Sequence, residues 1–351
     1  MKVDIYRAAD PRRRALWAVY NADSTWAERK SVSADWLLQD TADLSSPQPN
    51  LKFDAAEAIS EIKERGEYTF LFQDPPTELE KYETQSLNSF RLKYTIPIVR
   101  ELDSGEAMEI LGTGTLFTHE DRYFIVTADH IFREDENDPS SPLIDMREIA
   151  IPDRPVQANL HTIGSHTIYR IRPPTVLDVI VLELLAPDTI GYLKKNWGFL
   201  PFSTISAPRS DDRFVISGFM TEGAAYDRKV LRQRMLNLET DFLFDKPTVK
   251  DPAPGYDLFF YLQPKGALVD GSGAREVTSL KGMSGGPIWA VRSVEQGKFW
   301  SAQTASKIVA VQSSEMAGKW SRGVHWHAVI QILSQPEVSL RAPPSIDDNE
   351  Q

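Results

Sequence analysis

From Tyr94 onward the chain is written in short apolar runs rich in β-branched residues and broken by turns. YTIPIV, MEILGTGTLF and RYFIVTA come first. DVIVLELL (178–185), RFVISGF (213–219), DLFFYLQ (257–263), GPIWAV (286–291) and KIVAVQSS (307–314) follow. No such run can bury its surface alone. Many of them at close spacing predict a sandwich or barrel. The loops between them are long, notably 133–146 and 246–255, and HAVIQILSQ (327–335) reads as a short terminal helix.

Residues 1–93 have a different texture. Trp17, Trp26 and Trp36 sit in polar surroundings, as core or interface residues. SSPQP (45–49) marks a loop. DAAEAISEIKER (54–65) reads as a helix capped by Asp54 and stopped by Gly66, and EYTFLF as a short strand. PPTELEKYETQS (75–86) reads as a polar connector with one helical turn. The expected organisation is a small α+β accessory or regulatory region over 1–93, a β domain over 94–340 and a disordered tail over 341–351. A length of 351 residues suits such a division.

Charge and cysteine count exclude several functions. A net charge of −11 argues against a nucleic-acid footprint, and Arg12–Arg13–Arg14 reads as a solvated stretch. With no cysteine there is no disulfide, thiolate metal site or cysteine nucleophile. No signal-peptide run follows Lys2, and no stretch approaches the ~18 apolar residues of a membrane span. A soluble, cytoplasmic protein with no membrane partner is expected.

The chemistry is concentrated in LKGMSGGPIW (280–289). An alcohol attacks a carbonyl only with a base in hydrogen-bond reach, a group orienting that base, and donors for the oxyanion that develops. Glycines on both sides of Ser284 let the backbone approach a substrate, so the amides of Gly282 and Ser284 can aim at one oxygen. The base candidate is His130, where YFIVTADHIF (123–132) runs out of a strand. The orienting candidate is Asp178, at the head of an apolar strand where an unpartnered carboxylate is costly. Asp129 competes for that role. Neighbours in an extended strand face opposite ways, which favours Asp178.

Together GTGTLF (112–117), VTADHIF (126–132), DVIVLEL (178–184), GMSGGPIW (282–289) and IVAVQSS (308–314), in the order His, Asp, Ser, resemble the chymotrypsin/trypsin-like serine proteases, as a non-secreted, cysteine-free, bacterial-type member. The resemblance spans about 94–335. It implies a double six-stranded β-barrel with a C-terminal helix. It further implies Ser284 as nucleophile, His130 as general base, Asp178 as orienting acid and an oxyanion hole from the Gly282 and Ser284 amides. Ser313, Ser314 and Glu315 would lie along the substrate-pairing edge strand, and Thr278 near the base of the primary specificity pocket. Met283 stands where secreted digestive members carry the Asp that pairs with a new N-terminus, so activation by clipping is not implied.

The expected function is therefore a regulated intracellular serine endopeptidase acting on protein or peptide, with no cofactor and no metal. An activating partner would act through 1–93. Two rivals stay open: a peptide-binding module with an idle triad, and an esterase or acyl hydrolase using the same triad. His325 and His327 share strand spacing but lack a third metal ligand, and His161 and His166 read as exposed loop residues. DENDPSS lacks calcium-loop spacing, and GTG (112–114) is no dinucleotide fingerprint.

Overall fold

The structure, a computed structural model, describes residues 1–8, 16–23, 36–44, 55–65, 67–71, 78–102, 107–136, 138, 140–155, 158–170, 177–209, 212–222, 224–227, 230–244, 246–262, 265–269, 274–277, 279–293, 299–316, 318–334 and 339–341. Thr278, Trp26, Asp54, Gly66, the SSPQP loop, the arginine run and the tail beyond Arg341 lie outside the described residues, as do the side chains of Trp17 and Trp36. The chain divides into two compact units, 1–80 and 81–351.

In the first unit, strands β1 (Lys2–Ala8), β2 (Leu16–Asn21), β3 (Trp36–Asp43) and β4 (Glu67–Leu71) form an antiparallel sheet in the order β3-β1-β2-β4. Helix α1 (Ala55–Arg65) buries Ala58 and Ile62 with Val3, Ile5, Val19 and Leu44. Among the described residues that small core draws on this unit alone.

Helix α2 (Glu78–Tyr94) starts three residues before the boundary and runs into the second unit, which corrects the connector expected at 75–86. Its first turns are exposed and polar. Its last half carries Leu87 and Phe90 into the core, where Phe90 meets the Trp289 ring edge-on at 5.9 Å. A helix that packs along only half its length has little apolar periodicity to show in sequence.

The unit is mainly β. The first sheet gathers β5 (Thr95–Leu102), β6 (Ala107–His119), β7 (Arg122–Thr127), β8 (Ile149–Pro152), β9 (Ala158–Thr162), β10 (His166–Tyr169) and β11 (Ile180–Leu184). Helix α3 (Pro187–Asn196) and the two-residue β12 (Leu200–Pro201) follow. The second sheet contains β13 (Arg213–Phe219), then, after the excursion β14 (Ala225–Asp227) and β15 (Val230–Arg232), continues with β16 (Met235–Thr240), β17 (Asp257–Tyr261), β18 (Lys265–Leu268), β19 (Ala274–Glu276) and β20 (Pro287–Val291). The short α4 (Ala302–Ala305), β21 (Ser306–Met316), β22 (Trp320–His325), α5 (His327–Ser334) and β23 (Ser339–Arg341) complete the chain.

Pairing runs β14-β15-β9-β8-β5-β6-β7-β11-β10-β23 in the first sheet and β17-β22-β21-β20-β13-β16-β18-β19 in the second. The sheets are antiparallel except where β12 joins β6. The second sheet curls on itself. Phe242, just past β16, bridges Phe260 of β17, and Leu243 N–H donates to Phe259 C=O at 2.8 Å. Six strands thus close a ring: β13, β16, β17, β22, β21 and β20. Among the described residues no such closing pair joins the ends of the first sheet.

Among the described residues this layout buries three large apolar cores and a smaller cluster of Val99, Ile110, Ala150 and Leu231. One lies inside the first sheet, around Ile96, Leu116, Ile125, Phe132 and Leu182. Another fills the second ring, around Phe214, Ile216, Leu238, Phe260 and Ile288. The third joins the two, with Phe117, Phe124, Trp289 and Trp326. Strand residues alternate between an inner core and this shared one, as period-two side chains must.

Candidate active site

The nucleophile candidate sits in a turn between β19 and β20. Met283 N–H donates to Leu280 C=O at 2.7 Å, and Gly282 has φ 91°. Positive φ at the third position of a turn whose second residue is not left-handed is the type II arrangement, which glycine alone adopts without strain. Gly285 has φ 86°, and a Cβ there would lie 1.9 Å from Thr127 Oγ1 and 2.3 Å from Thr113 O.

Every carbonyl of the turn is held. Leu280 C=O is taken by Met283 as above, and Lys281 C=O accepts from Thr221 N–H at 3.0 Å. Gly282 C=O accepts from Thr113 Oγ1 at 2.8 Å. Met283 C=O accepts from Gly286 N–H at 2.8 Å, and Ser284 C=O from Thr113 N–H at 2.8 Å. In a trans peptide the C=O and the next N–H point opposite ways. Fixing the Lys281 and Met283 carbonyls therefore fixes the Gly282 and Ser284 N–H groups on the other side. Neither of those two amides has an acceptor among the described residues.

Met283 explains its own presence. It is fully buried, packed with Leu280, Ile216 and Ile288 in the second ring and against Gly218. Burying such a side chain contributes about 1.5–3 kcal/mol. The turn is anchored by an apolar plug and not by an ion pair.

His130 does not sit at a strand's end. β7 stops at Thr127, and His130 opens a 3-10 turn, His130–Phe132, behind Asp129. The opposite-face argument used against Asp129 therefore fails in its premise, since Asp129 is helical (φ −70°, ψ −37°). What occupies Asp129 is Arg133, whose Nε donates to it at 3.0 Å, with Arg170 3.7 Å away. Asp178 lies two residues before β11. It accepts twice from His130: backbone N–H to Oδ1 at 2.9 Å and ring Nδ1 to Oδ2 at 2.7 Å. The second contact puts the ring proton on Nδ1 and leaves Nε2 as the basic nitrogen.

Burial alone would lower the His130 pKa. The Asp178 charge and hydrogen bond outweigh it, with Glu136 and Asp129 adding, so the imidazole is held above its ordinary 6.5. Burial alone would raise Asp178. The charge and two hydrogen bonds of His130, with Arg322, hold it below the usual carboxylate range.

His130, Asp178, Gly282 and Ser284 line one cleft of about 1230 Å³. Among the described residues no hydrogen bond joins Ser284 Oγ to His130. Ser313, Ser314 and Glu315 line the same cleft on β21. Their strand pairs with β22, and its partner β20 ends opposite Val311, so among the described residues this stretch has a backbone edge without a strand partner. Glu315 Oε1 accepts from Leu280 N–H at 2.7 Å and Ser279 Oγ at 3.0 Å, tying the edge to the entry of the serine turn. His166, expected exposed, is buried, its Nδ1 2.7 Å from Gly164 O. Sequence reading missed Thr113, Thr127 and Thr221. Only Thr113 left a signal, and a faint one: a threonine between two glycines in an otherwise apolar strand.

No protein-family model matches the chain, and no curated protein matches it. Solved structures do. The tobacco vein mottling virus protease matches at 12% identity and a TM-score of 0.37, covering 80% of this chain and 94% of its own. An M. tuberculosis protease in its active form matches at 11% and 0.38, covering 78% and 97%. The protease Anisep from Arthrobacter nicotinovorans matches at 13% and 0.39, covering 69% and 94%.

Proposed function

We propose that the chain is a serine endopeptidase of the chymotrypsin/trypsin-like kind, with Ser284, His130 and Asp178 as its triad. The observation that carries this reading is the convergence, in one cleft, of an Asp-bound imidazole, a serine and two amide donors without acceptors. Ser284 Oγ forms a bond to the scissile carbonyl carbon while its proton passes to His130 Nε2. The carbonyl electron pair moves to oxygen, where the Gly282 and Ser284 N–H groups receive it. Collapse breaks the C–N bond, the leaving amine takes the proton from His130, and water, deprotonated by the same imidazole, releases the acyl group.

The peptide is held by the free edge at Ser313–Glu315, with Thr278 contributing at the specificity pocket. An activating partner docks through the N-terminal region. The motive is that a cytoplasmic protease without clipping control needs another gate. Among the described residues no helix is long and apolar enough to cross a membrane.

Fluorophosphonate labelling of wild type, Ser284→Ala and His130→Ala tests the triad. Labelling of wild type alone is expected. Equal labelling of Ser284→Ala would move the nucleophile elsewhere. The missing Ser284–His130 hydrogen bond favours a second reading, a peptide-binding module. Under it the folded wild type stays unlabelled, with cell lysate or without, and still retains peptide. Side-by-side turnover of peptides and simple esters separates peptidase from esterase.

A further inference from the structure

The serine turn belongs to the second sheet's ring, yet its firmest grip comes from the first sheet. Thr113, on β6, is fully buried and makes four hydrogen bonds. Its N–H donates to Ser284 C=O at 2.8 Å. Its Oγ1 donates to Gly282 C=O at 2.8 Å and accepts from Phe219 N–H of β13 at 3.0 Å. Its C=O accepts from Thr127 Oγ1 at 2.7 Å.

The two donor amides lie on the Lys281–Gly282 and Met283–Ser284 peptide planes. Between them lies the Gly282–Met283 plane, held at its carbonyl by the Thr113 hydroxyl. We infer that Thr113 is a positioning residue for the oxyanion donors: its hydroxyl sets the relative orientation of the Gly282 and Ser284 N–H groups. This rests on the protease reading above.

The physical case is one of satisfiability. A hydroxyl offers one donor and two acceptor sites, and here one side chain satisfies a buried C=O and a buried N–H from different segments. Remove it and both are left without a partner inside a dry core. The easiest relief is rotation of the Gly282–Met283 plane about Gly282, which has no side chain to resist, and that rotation turns the Gly282 and Ser284 N–H groups relative to one another. Val has the shape of Thr without the hydroxyl, whereas Ser keeps the hydroxyl and loses a methyl group.

The experiment is steady-state peptide hydrolysis by wild type, Thr113→Val and Thr113→Ser, with thermal denaturation of each. Transition-state donors act on kcat and leave ground-state binding alone. Removing an oxyanion donor outright costs about 100- to 1000-fold. Misaligning the pair through Thr113 is expected to lower kcat about 10- to 100-fold at unchanged KM, with Thr113→Ser within about threefold of wild type. Equal losses in Val and Ser variants, or a Val variant with wild-type kcat, would overturn the inference. Should Thr113→Val fail to fold, Thr113→Cys replaces it. Cys is close in size with a weak donor, and the same fall is expected. An active wild type with an unaffected Val variant sinks this inference only. A wild type inert toward peptide, ester and probe sinks the protease reading, and this inference with it.

Discussion

At the residue scale the site is a contest between burial and pairing, and His130 shows which side wins. Its pKa is raised because the Asp178 charge outweighs desolvation. Under the proposed triad His130 must be neutral to act as base, so kcat/KM is expected to rise with pH along a limb centred above 6.5, the ordinary imidazole value. Asp178→Asn removes the largest raising influence. That limb should move to lower pH while the plateau falls by roughly 10⁴ as the tautomer is lost. A pH–rate profile of both proteins checks the sign. The pair also contributes to stability. Because the folded pKa of His130 lies above the unfolded one and that of Asp178 below it, the contribution is complete between about 4 and about 6.5, and fades as pH rises through the raised imidazole value or falls through the lowered carboxylate value.

Two neighbours of the serine are as constrained as the serine itself. Met283→Asp would place an unpartnered carboxylate among Leu280, Ile216 and Ile288. The expected outcome is a loss of about 3 kcal/mol or more, with probe labelling abolished. Gly285→Ala forces a Cβ onto Thr127 Oγ1 and Thr113 O at a positive φ. It should cost about 2–4 kcal/mol in urea unfolding.

At the element scale the deciding piece is α2. Its C-terminal half reaches the serine turn by two routes. Leu87 and Phe90 pack in the core that holds Trp289. Asn88 Oδ1 accepts from Asn237 Nδ2 at 2.7 Å, and Asn237 Oδ1 accepts from Ser217 Oγ at 2.5 Å. The Ser217 carbonyl in turn closes the space where a Gly286 side chain would stand. Leu87→Ala is expected to destabilise the second unit by about 2–4 kcal/mol with kcat changed little, since it empties packing without touching the turn. Denaturant melts beside peptide turnover check both halves of that statement.

At the scale of the whole molecule the apolar clusters among the described residues each fall within one unit. The cluster under α1 uses residues up to Tyr68, and the clusters of the β unit begin at Leu87. A chain of residues 81–351 is therefore expected to fold alone with the β-type circular dichroism of the second unit. Whether it still labels, more or less than the full chain, tests the proposed control by the N-terminal region. Loss of all folded signal on removing 1–80 would contradict the division.

Much of this was legible without coordinates, for reasons specific to certain residues. The strands at β5, β6, β7, β11, β13, β17, β20 and β21 announce themselves because a β-branched or, at β17, aromatic run has few alternatives to a buried sheet. The Gly282–Pro287 turn announces itself because positive φ demands glycine and leaves its mark at fixed spacing. Helix α2 did not, since its apolar half is short and its polar half dominates any window. β8, β9, β10 and β22 are short or polar, and each is held on one side by a strand far along the chain, β5, β15, β23 and β17 in turn. The choice of Asp178 over Asp129 rested in sequence on an extended strand. In the tertiary structure Arg133 and Arg170 lie against Asp129, and a 3-10 turn aims the His130 ring and N–H at Asp178. The sequence alone determined which residues are chemically capable, because side-chain type and backbone freedom are local properties. Only the tertiary structure decided which of them meet, because a hydrogen bond such as Thr113 to Gly282, 169 residues apart, is fixed by the docking of two sheets and leaves no local trace.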